Sequence, residues 1–258
     1  MLPSLFVSHG APLLAIEDNE YTRFLTSLGA SLPKPIAIVI FSAHWESNEQ
    51  QVSDVPVFKT MYDFGGFPSA LYEIKYEAKG KATVTKDIEA LFYNEGISYK
   101  INTTRGLDHG AWVVLKILYP DAAIPVISMS VNPNLTPQEQ YHVGKTLEIL
   151  REKDILIIAS GGTVHNFETL RMSGDGIDDW AIEFDQWLER KTGTWDLEAL
   201  FEYEKLAPAA ELAVPPYAKE HFIPFFYAMG AADNAKKAKM LHASYRYGNL
   251  SHTVWQFG

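Results

Sequence analysis

The chain has 258 residues, with 22 Lys and Arg against 32 Asp and Glu, so its formal charge is −10. This charge argues against binding to a nucleic-acid backbone or an anionic membrane surface, because the densest basic cluster is only Lys236, Lys237 and Lys239. The absence of cysteine excludes disulfides, iron–sulfur clusters and thiolate zinc sites. Any bound metal ion must therefore be held by His, Asp or Glu.

No uncharged apolar run approaches the ~18 residues of a membrane span. The first residues, Met1–Ser4, do not begin a basic and apolar leader of the secretory type. We therefore expect a cytoplasmic protein. No repeat, low-complexity tract or charged linker divides the chain, so we predict one catalytic domain over residues 1–258, with long functional loops at 45–75 and 205–220. The sequence leaves the oligomeric state open, and a homo-oligomer is possible.

Short apolar runs rich in β-branched residues recur between longer segments of helical period, which is typical of a layered α/β domain. In chain order, the clearest predicted strands are Leu5–Ser8, Ile36–Ser42, Ile124–Val131 and Ile155–Ser160. The run from Ile36 to Phe41 is apolar on both faces, as expected of a central strand covered by helices on each side. We predict a central, mainly parallel or mixed sheet flanked by helices.

The intervening segments predict helices. In chain order they are Asp18–Leu28, Val84–Asn94, Ala111–Tyr119, Pro137–Lys153, Ile177–Lys191, Leu197–Glu204 and Phe222–Ala232. The start at Pro137 is the best marked of these, because Thr136 can cap the helix, Pro137 suits its first position and Glu139 completes a capping box.

Three of the eight histidines stand at the exits of predicted strands. His9 directly follows the first strand, His44 lies just beyond the second, and His165 lies five residues after Ile155–Ser160. In an open α/β sheet, ligands bind outside the carboxyl ends of the strands, where the loops converge. The positions of these histidines therefore predict a shared crevice.

Two more histidines share a different placement, at the mouths of predicted helices. His109 precedes the helix at Ala111, and His221 precedes the helix at Phe222. Helix starts face the same crevice as strand ends when the connecting loop is short. The other three, His142, His242 and His252, lack either placement, and we interpret them as structural or surface residues.

Three imidazoles with open positions suit a catalytic Zn(II) ion, and two histidines with one carboxylate suit non-haem Fe(II). Glu46 and Glu220 are possible carboxylate ligands, and solvated loop charges are the alternative for both. Asp108 can cap the next helix or orient an imidazole, and capping is the simpler interpretation. The Gly161–Thr163 turn matches no phosphate-binding loop, and no nucleophile elbow is present.

Six strings in this order resemble the class III extradiol ring-cleavage dioxygenases, and most of all the branch that acts on DOPA, which is similar to the β-subunit of protocatechuate 4,5-dioxygenase. The strings are Ser8–Pro12, Ser42–Trp45, Tyr62–Pro68, Leu107–Trp112, Val164–Asn166 and Glu220–Pro224. The resemblance runs from residue 3 to the C-terminus. It implies an α/β fold with one metal ion at the edge of the sheet.

The resemblance also implies roles for individual residues. The three metal ligands correspond to His9, His44 and His221, and the acid/base histidines correspond to His165 and His109. In the protocatechuate branch the third ligand is a carboxylate, so Glu220 competes with His221 for that role, and the string around His221 favours the histidine. The string Tyr247–His252 departs from the family pattern, which leaves the role of His252 open.

By this resemblance, Fe(II) would bind a catechol and O₂, His165 would act as general base and acid, and His109 would stabilise negative charge on oxygen. The product would be a muconic semialdehyde. Two alternatives remain at this point: a zinc hydrolase that uses the same three histidines, and a metal-binding protein without catalysis.

The identity of the catechol is not determined by the sequence. Asp54–Ala70 and the neighbourhood of Trp112 can shape the pocket. Arg105 and Lys219 stand close to histidine motifs and can pair with a substrate carboxylate, although solvation at the surface is the simpler role for each.

Overall fold

The computed structural model describes residues 1–172 and 176–258. Within them, eight strands form a single sheet in the order β4-β3-β5-β2-β6-β1-β8-β7. The strands are β1 Ser4–Ser8, β2 Ala37–Glu46, β3 Gln50–Ser53, β4 Tyr99–Asn102, β5 Val126–Val131, β6 Ile155–Gly161, β7 Ala238–Arg246 and β8 Leu250–Phe257. The predicted α/β class with a mixed central sheet is confirmed.

The middle of the sheet is parallel, and the strand that borders it on each side pairs antiparallel with it. Strands β5, β2, β6 and β1 are parallel to one another. Strand β8 pairs antiparallel with β1, and β3 pairs antiparallel with β5. The four parallel strands therefore direct their carboxyl ends to one edge of the sheet, where a crevice can form.

The helices are α1 Glu20–Ser31, α2 Ala82–Glu95, α3 His109–Leu118, α4 Pro137–Thr146, α5 Asp179–Gly193, α6 Leu197–Phe201, α7 Tyr203–Leu206, α8 Ala210–Ala213 and α9 Ile223–Gly230. Short 3₁₀ helices occupy Pro12–Ala15, Ser69–Glu73, Glu148–Lys153 and Phe167–Thr169. Among the described residues, no helix combines the length and the apolar character that crossing a membrane requires.

The central strands alternate their side chains between two cores. Val39 and Phe41 of β2 pack with α9 residues such as Phe225, whereas Ile38 and Ile40 pack with Trp112 of α3. Because successive side chains point to opposite faces of a strand, a run that is apolar at every position is buried on both sides. Because both faces of β2 are packed, the strand is held in place in the sheet, and so is His44 near its end.

Several predicted boundaries are wrong. The helix from Pro137 has the expected capping box, but it ends at Thr146 and a 3₁₀ turn continues to Lys153, because the Leu147 N–H bonds back to Gly144 and Lys145 and tightens the turn. The segment Leu197–Glu204 is likewise divided between two short helices at Glu202.

The segment predicted as a loop at 45–75 contains the end of β2 and all of β3. Strand β2 runs on to Glu46 through a shift in its pairing with β5. Strands β3 and β4 have four residues each and a polar composition, so neither shows the β-branched apolar pattern on which strand prediction depends. The 205–220 segment contains α8. Near the C-terminus, where no strand is predicted above, β7 and β8 form an antiparallel hairpin.

Candidate metal centre

All five histidines that the sequence places in one crevice line one cavity of about 180 Å³. His9 directly follows β1, His44 lies in the last part of β2, and His165 follows β6. His109 is the first residue of α3, and His221 lies two residues before α9. The remaining lining residues are Gly10, Ala11, Pro12, Phe64, Phe67, Phe167 and Leu250, so the walls are mostly apolar.

Three of these imidazoles form a nearly equilateral triangle. The ring centroids of His9 and His44 are 4.8 Å apart, those of His44 and His221 are 4.9 Å apart, and those of His9 and His221 are 5.1 Å apart. One ring nitrogen from each residue lies within 4.8 Å of the other two. Nε2 of His9 and Nε2 of His44 are 3.0 Å apart, a separation that requires a proton or a cation between two lone pairs.

A buried serine fixes the orientation of the His9 ring. The Ser160 hydroxyl donates to the Gly110 carbonyl at 2.5 Å, and its oxygen lies 3.0 Å from His9 Nδ1. Because the serine proton is already used, its oxygen accepts the Nδ1–H of His9. Nε2 is then the unprotonated nitrogen and faces the centre of the triangle. Such outer partners fix the tautomer of a metal-binding histidine.

Glu220 fixes the orientation and the tautomer of the His221 ring. Its carboxylate lies 2.8 Å from His221 Nδ1 and accepts that N–H. On the other side of the ring, His221 Nε2 is buried and has no hydrogen-bond partner among the described residues. A buried polar atom without a partner is costly, and a divalent cation in the triangle would satisfy it. The residues present therefore fit a metal ion.

The electrostatics of the cluster favour neutral imidazoles. Burial, with a contribution from the neighbouring histidines, holds the pKa of His9 and of His221 well below its usual value. Burial also lowers the pKa of His44 to about 4. Metal binding requires the unprotonated imidazole, so these rings are in the binding form at neutral pH.

Neither candidate carboxylate belongs to the triangle. Glu46 is exposed at the end of β2, and Glu220 contacts Nδ1 of His221 from behind the ring. Burial raises the pKa of Glu220. Within the described residues, the groups of close donor atoms contain neither glutamate. The geometry thus favours His221 over Glu220 as the third donor.

The other two histidines of the cavity lie beside the triangle. The ring of His165 is parallel to that of His221 at a centroid distance of 3.5 Å, and its backbone N–H donates to the Ala213 carbonyl at 3.0 Å. Burial lowers the pKa of His165 to about 4. The ring of His109 lies 3.9 Å from that of His44.

The carboxylate of Asp63 contacts His109 twice. Its Oδ1 accepts the backbone N–H at 2.9 Å, and its Oδ2 lies 3.0 Å from Nδ1. Although burial raises the pKa of Asp63, the hydrogen bonds from His109 lower it below its usual value overall. Neither Asp63 nor Ser160 is identified as a site residue by the sequence alone. Tyr62–Pro68 is one of the family-like strings, but no spacing in the sequence relates Asp63 to His109.

The remaining candidates have structural surroundings. Arg105 donates to the His44 carbonyl at 2.9 Å and to Asp108 at 3.2 Å, and Lys219 pairs with Glu204. Neither cation lines the cavity. Asp108 is the N-cap of α3, as the simpler interpretation predicts. Trp112 is fully buried, and its Nε1–H donates to the Met61 carbonyl at 2.9 Å.

The three histidines interpreted as structural lie outside the cavity lining. His142 is half exposed and 3.7 Å from a Glu95 carboxylate oxygen. His242 hydrogen-bonds Ser244 at 2.9 Å. His252 is buried, stacks on Tyr21 at 4.6 Å, and lies directly behind Gly10.

Comparisons with known proteins extend over the whole chain. The family model described as the catalytic LigB subunit of aromatic ring-opening dioxygenase matches residues 3–258. The chain is 39% identical to a 4,5-DOPA dioxygenase extradiol of Beta vulgaris, and the match covers 98% of this chain and 96% of the relative. It is 33% identical to a protein of the same name from Escherichia coli, and the match covers 100% of this chain and 95% of that protein.

A solved structure has the same fold. The crystal structure of an uncharacterized protein from Escherichia coli K12 superposes with a TM-score of 0.84 at 30% sequence identity, and the match covers 100% of both chains. Together with the family match, these similarities favour ring-opening chemistry over the zinc hydrolase and the non-catalytic binder that the histidine pattern alone leaves open.

Proposed function

The chain belongs to the LigB family of aromatic ring-opening dioxygenases and is a metal-dependent extradiol dioxygenase, and on this basis we propose that His9, His44 and His221 bind one Fe(II) ion. The observation that carries this assignment is the orphaned Nε2 of His221, which lies in a triangle of three buried, neutral imidazoles. Zn(II) accepts the same ligands, but it has no redox chemistry. A bound Fe(II) ion would supply the redox chemistry that couples an aromatic diol to O₂.

We assign proton transfer to His165. Its pKa of about 4 keeps the imidazole neutral at pH 7, so the ring can accept the proton of a catechol hydroxyl and later return it. His165 lies on the cavity wall against His221. A proton acceptor there is within reach of a diol that is seated at the triangle.

His109 is the second acid/base group of the proposal. It lines the same cavity beside His44, where it can hydrogen-bond oxygen atoms of the reactants and stabilise the negative charge that develops on them. Cleavage of the ring bond beside the diol, with both atoms of O₂ retained, gives a muconic semialdehyde.

The cavity favours a single aromatic ring as the substrate core. Phe64, Phe67 and Phe167 form its apolar walls, and aromatic rings pack well against such faces. The curated relatives are named for 4,5-DOPA, and we propose a DOPA-like catechol for this chain. No Arg or Lys of the described residues lines the cavity, so a substrate carboxylate would lie outside it.

We also propose that residues 1–258 act as one catalytic domain. The last strand, β8, pairs with the first strand, β1, so both ends of the chain contribute to the sheet that presents His9.

The proposal is tested by loading metal-free protein with Fe(II) under anaerobic conditions and measuring O₂ uptake and the coloured product. The substrates are catechols with and without a carboxylate. Zn(II)-loaded protein is the matched control and should consume no O₂. If Fe(II)-loaded protein opened no catechol while Zn(II)-loaded protein hydrolysed esters or amides, the proposed function would be wrong.

A further inference from the structure

The most specific contact outside the triangle joins Asp63 to His109. One carboxylate binds two groups of a single residue, the backbone N–H at 2.9 Å and the imidazole Nδ1 at 3.0 Å. The two residues come from distant parts of the chain, since Asp63 follows β3 and His109 begins α3. Such a double contact leaves the imidazole little freedom to rotate.

The contact also determines which ring nitrogen carries the proton. An ionised carboxylate has only acceptor oxygens, so the Nδ1 that faces Asp63 must be protonated. In a neutral imidazole the other nitrogen, Nε2, is then an acceptor. His109 lines the catalytic cavity. Since Nδ1 contacts Asp63, Nε2 is the ring nitrogen that is available to groups in the cavity.

The same carboxylate secures one wall of the cavity. Phe64 directly follows Asp63, Phe67 lies four residues after it, and both line the cavity. The ring centroid of Phe64 is 5.7 Å from that of His109. Before Asp63, the Met61 N–H donates to the Leu107 carbonyl at 2.8 Å. Asp63 therefore continues a set of bonds that fastens the segment Met61–Phe67 to the start of α3.

We propose that Asp63 is a positioning residue of the ring-opening reaction, which holds His109 with Nε2 toward the cavity and fixes the adjacent Phe64 wall against it. The inference rests on the proposed role of His109 and deepens it. Asp63 does not touch the substrate in this scheme, and its effect passes through His109 and through the wall.

The first test is independent of turnover. Long-range ¹H–¹⁵N NMR spectra of metal-free protein distinguish an imidazole protonated at Nδ1 from one protonated at Nε2. The parent should show His109 protonated at Nδ1. In D63N the amide N–H₂ can donate to Nδ1, so the ring should shift toward protonation at Nε2. Glu73→Gln, an exposed carboxylate-to-amide change in the 3₁₀ turn after the wall segment, should leave the tautomer unchanged.

The second test uses Fe(II)-loaded enzyme. We expect kcat of D63N to fall about 10–100-fold, as it does when the outer partner of a metal-binding imidazole is removed, with metal content equal to that of the parent. In D63A both contacts are lost, so KM for the catechol should also rise as the wall loosens. Glu73→Gln should retain the kcat and KM of the parent.

The outcomes separate this inference from the proposed function. A parent whose His109 is protonated at Nε2, or a D63N variant with the tautomer and kcat of the parent, would overturn the role of Asp63. If the parent opened no catechol but the tautomer responded to D63N as expected, the positioning of His109 would stand and the proposed function would fail.

Discussion

The imidazole of His165 lies flat against that of His221, with ring centroids 3.5 Å apart and an interplanar angle of 7°. His165 comes from the loop after β6, and His221 comes from the turn before α9. The turns are held together because the Gly162 N–H donates to the His221 carbonyl at 2.8 Å. A proposed proton acceptor is thereby held beside a proposed metal ligand.

Replacing His165 should affect turnover and spare the metal. We expect His165→Ala to lower kcat by ~10²–10⁴-fold, the usual contribution of a positioned acid/base group, with unchanged Fe(II) content. His142→Ala, a matched change at a half-exposed helix position, should retain the activity of the parent. Stopped-flow assays and metal analysis give both quantities, and turnover of His165→Ala at the rate of the parent would exclude the assignment.

Removing the Ser160 hydroxyl should weaken metal binding. In Ser160→Ala the His9 Nδ1–H loses its acceptor, and we expect the Kd for the metal to rise about 10–100-fold. Ser128→Ala is a close control, because Ser128 is also a buried strand serine but its Oγ has no hydrogen-bond partner among the described residues. Competition with a chelator measures both Kd values. Equal values in Ser160→Ala and the parent would show that Ser160 does not orient His9.

Stability should depend on pH through His252. Burial lowers the pKa of His252 to about 3, against about 6.5 in an unfolded chain. Between these values the unfolded state binds a proton that the folded state does not, so the free energy of unfolding falls as the pH falls. The effect of one such group is about 1.4 kcal/mol per pH unit.

The test is urea unfolding of metal-free protein between pH 4.5 and 5.5. His252→Leu removes the group and should reduce the slope of unfolding free energy against pH by about that 1.4 kcal/mol per unit. At pH 8 the imidazole is neutral in both states, so the free energies of unfolding of the two proteins should differ only by the change in packing. The same slope in both proteins would show that His252 has an ordinary pKa in the folded state.

Gly10 should tolerate no side chain. Its φ of +56° lies in the left-handed region, and a Cβ there would come within 2.5 Å of His252 Nε2. We expect Gly10→Ala to lose about 1–2 kcal/mol of stability from the backbone conformation alone, with a further loss from the contact. The change should also weaken metal binding, since Gly10 follows His9.

Gly65→Ala is the control, because no atom lies within 4 Å of its Cβ position. Measured against His252→Ala alone, Gly10→Ala with His252→Ala should lose less stability than Gly10→Ala does in the parent, because the contact with His252 is gone. The backbone strain and the contact of the new Cβ with Leu14 Cδ1 at 2.8 Å remain. Chemical unfolding measures each variant. If Gly10→Ala were as stable as Gly65→Ala, the tight turn after β1 would not constrain the site.

The sequence by itself determined the α/β class, the four central strands and the convergence of five histidines. These predictions succeeded because a strand buried on both faces is apolar at every position, and because parallel strands place their carboxyl ends at one edge. The order of the motifs also indicated the family, which the comparisons confirm. The metal and acid/base roles of the five histidines stay predictions.

Only the tertiary structure decided which groups contact these histidines. Ser160 behind His9, Glu220 behind His221 and Asp63 beside His109 set the tautomer and orientation of each ring. Two of the three contacts join residues far apart in the chain, and a single hydrogen bond of this kind leaves no periodic pattern in a sequence. The short polar strands β3 and β4 escaped prediction for a related reason, because their pairing depends on neighbouring strands rather than on local propensity.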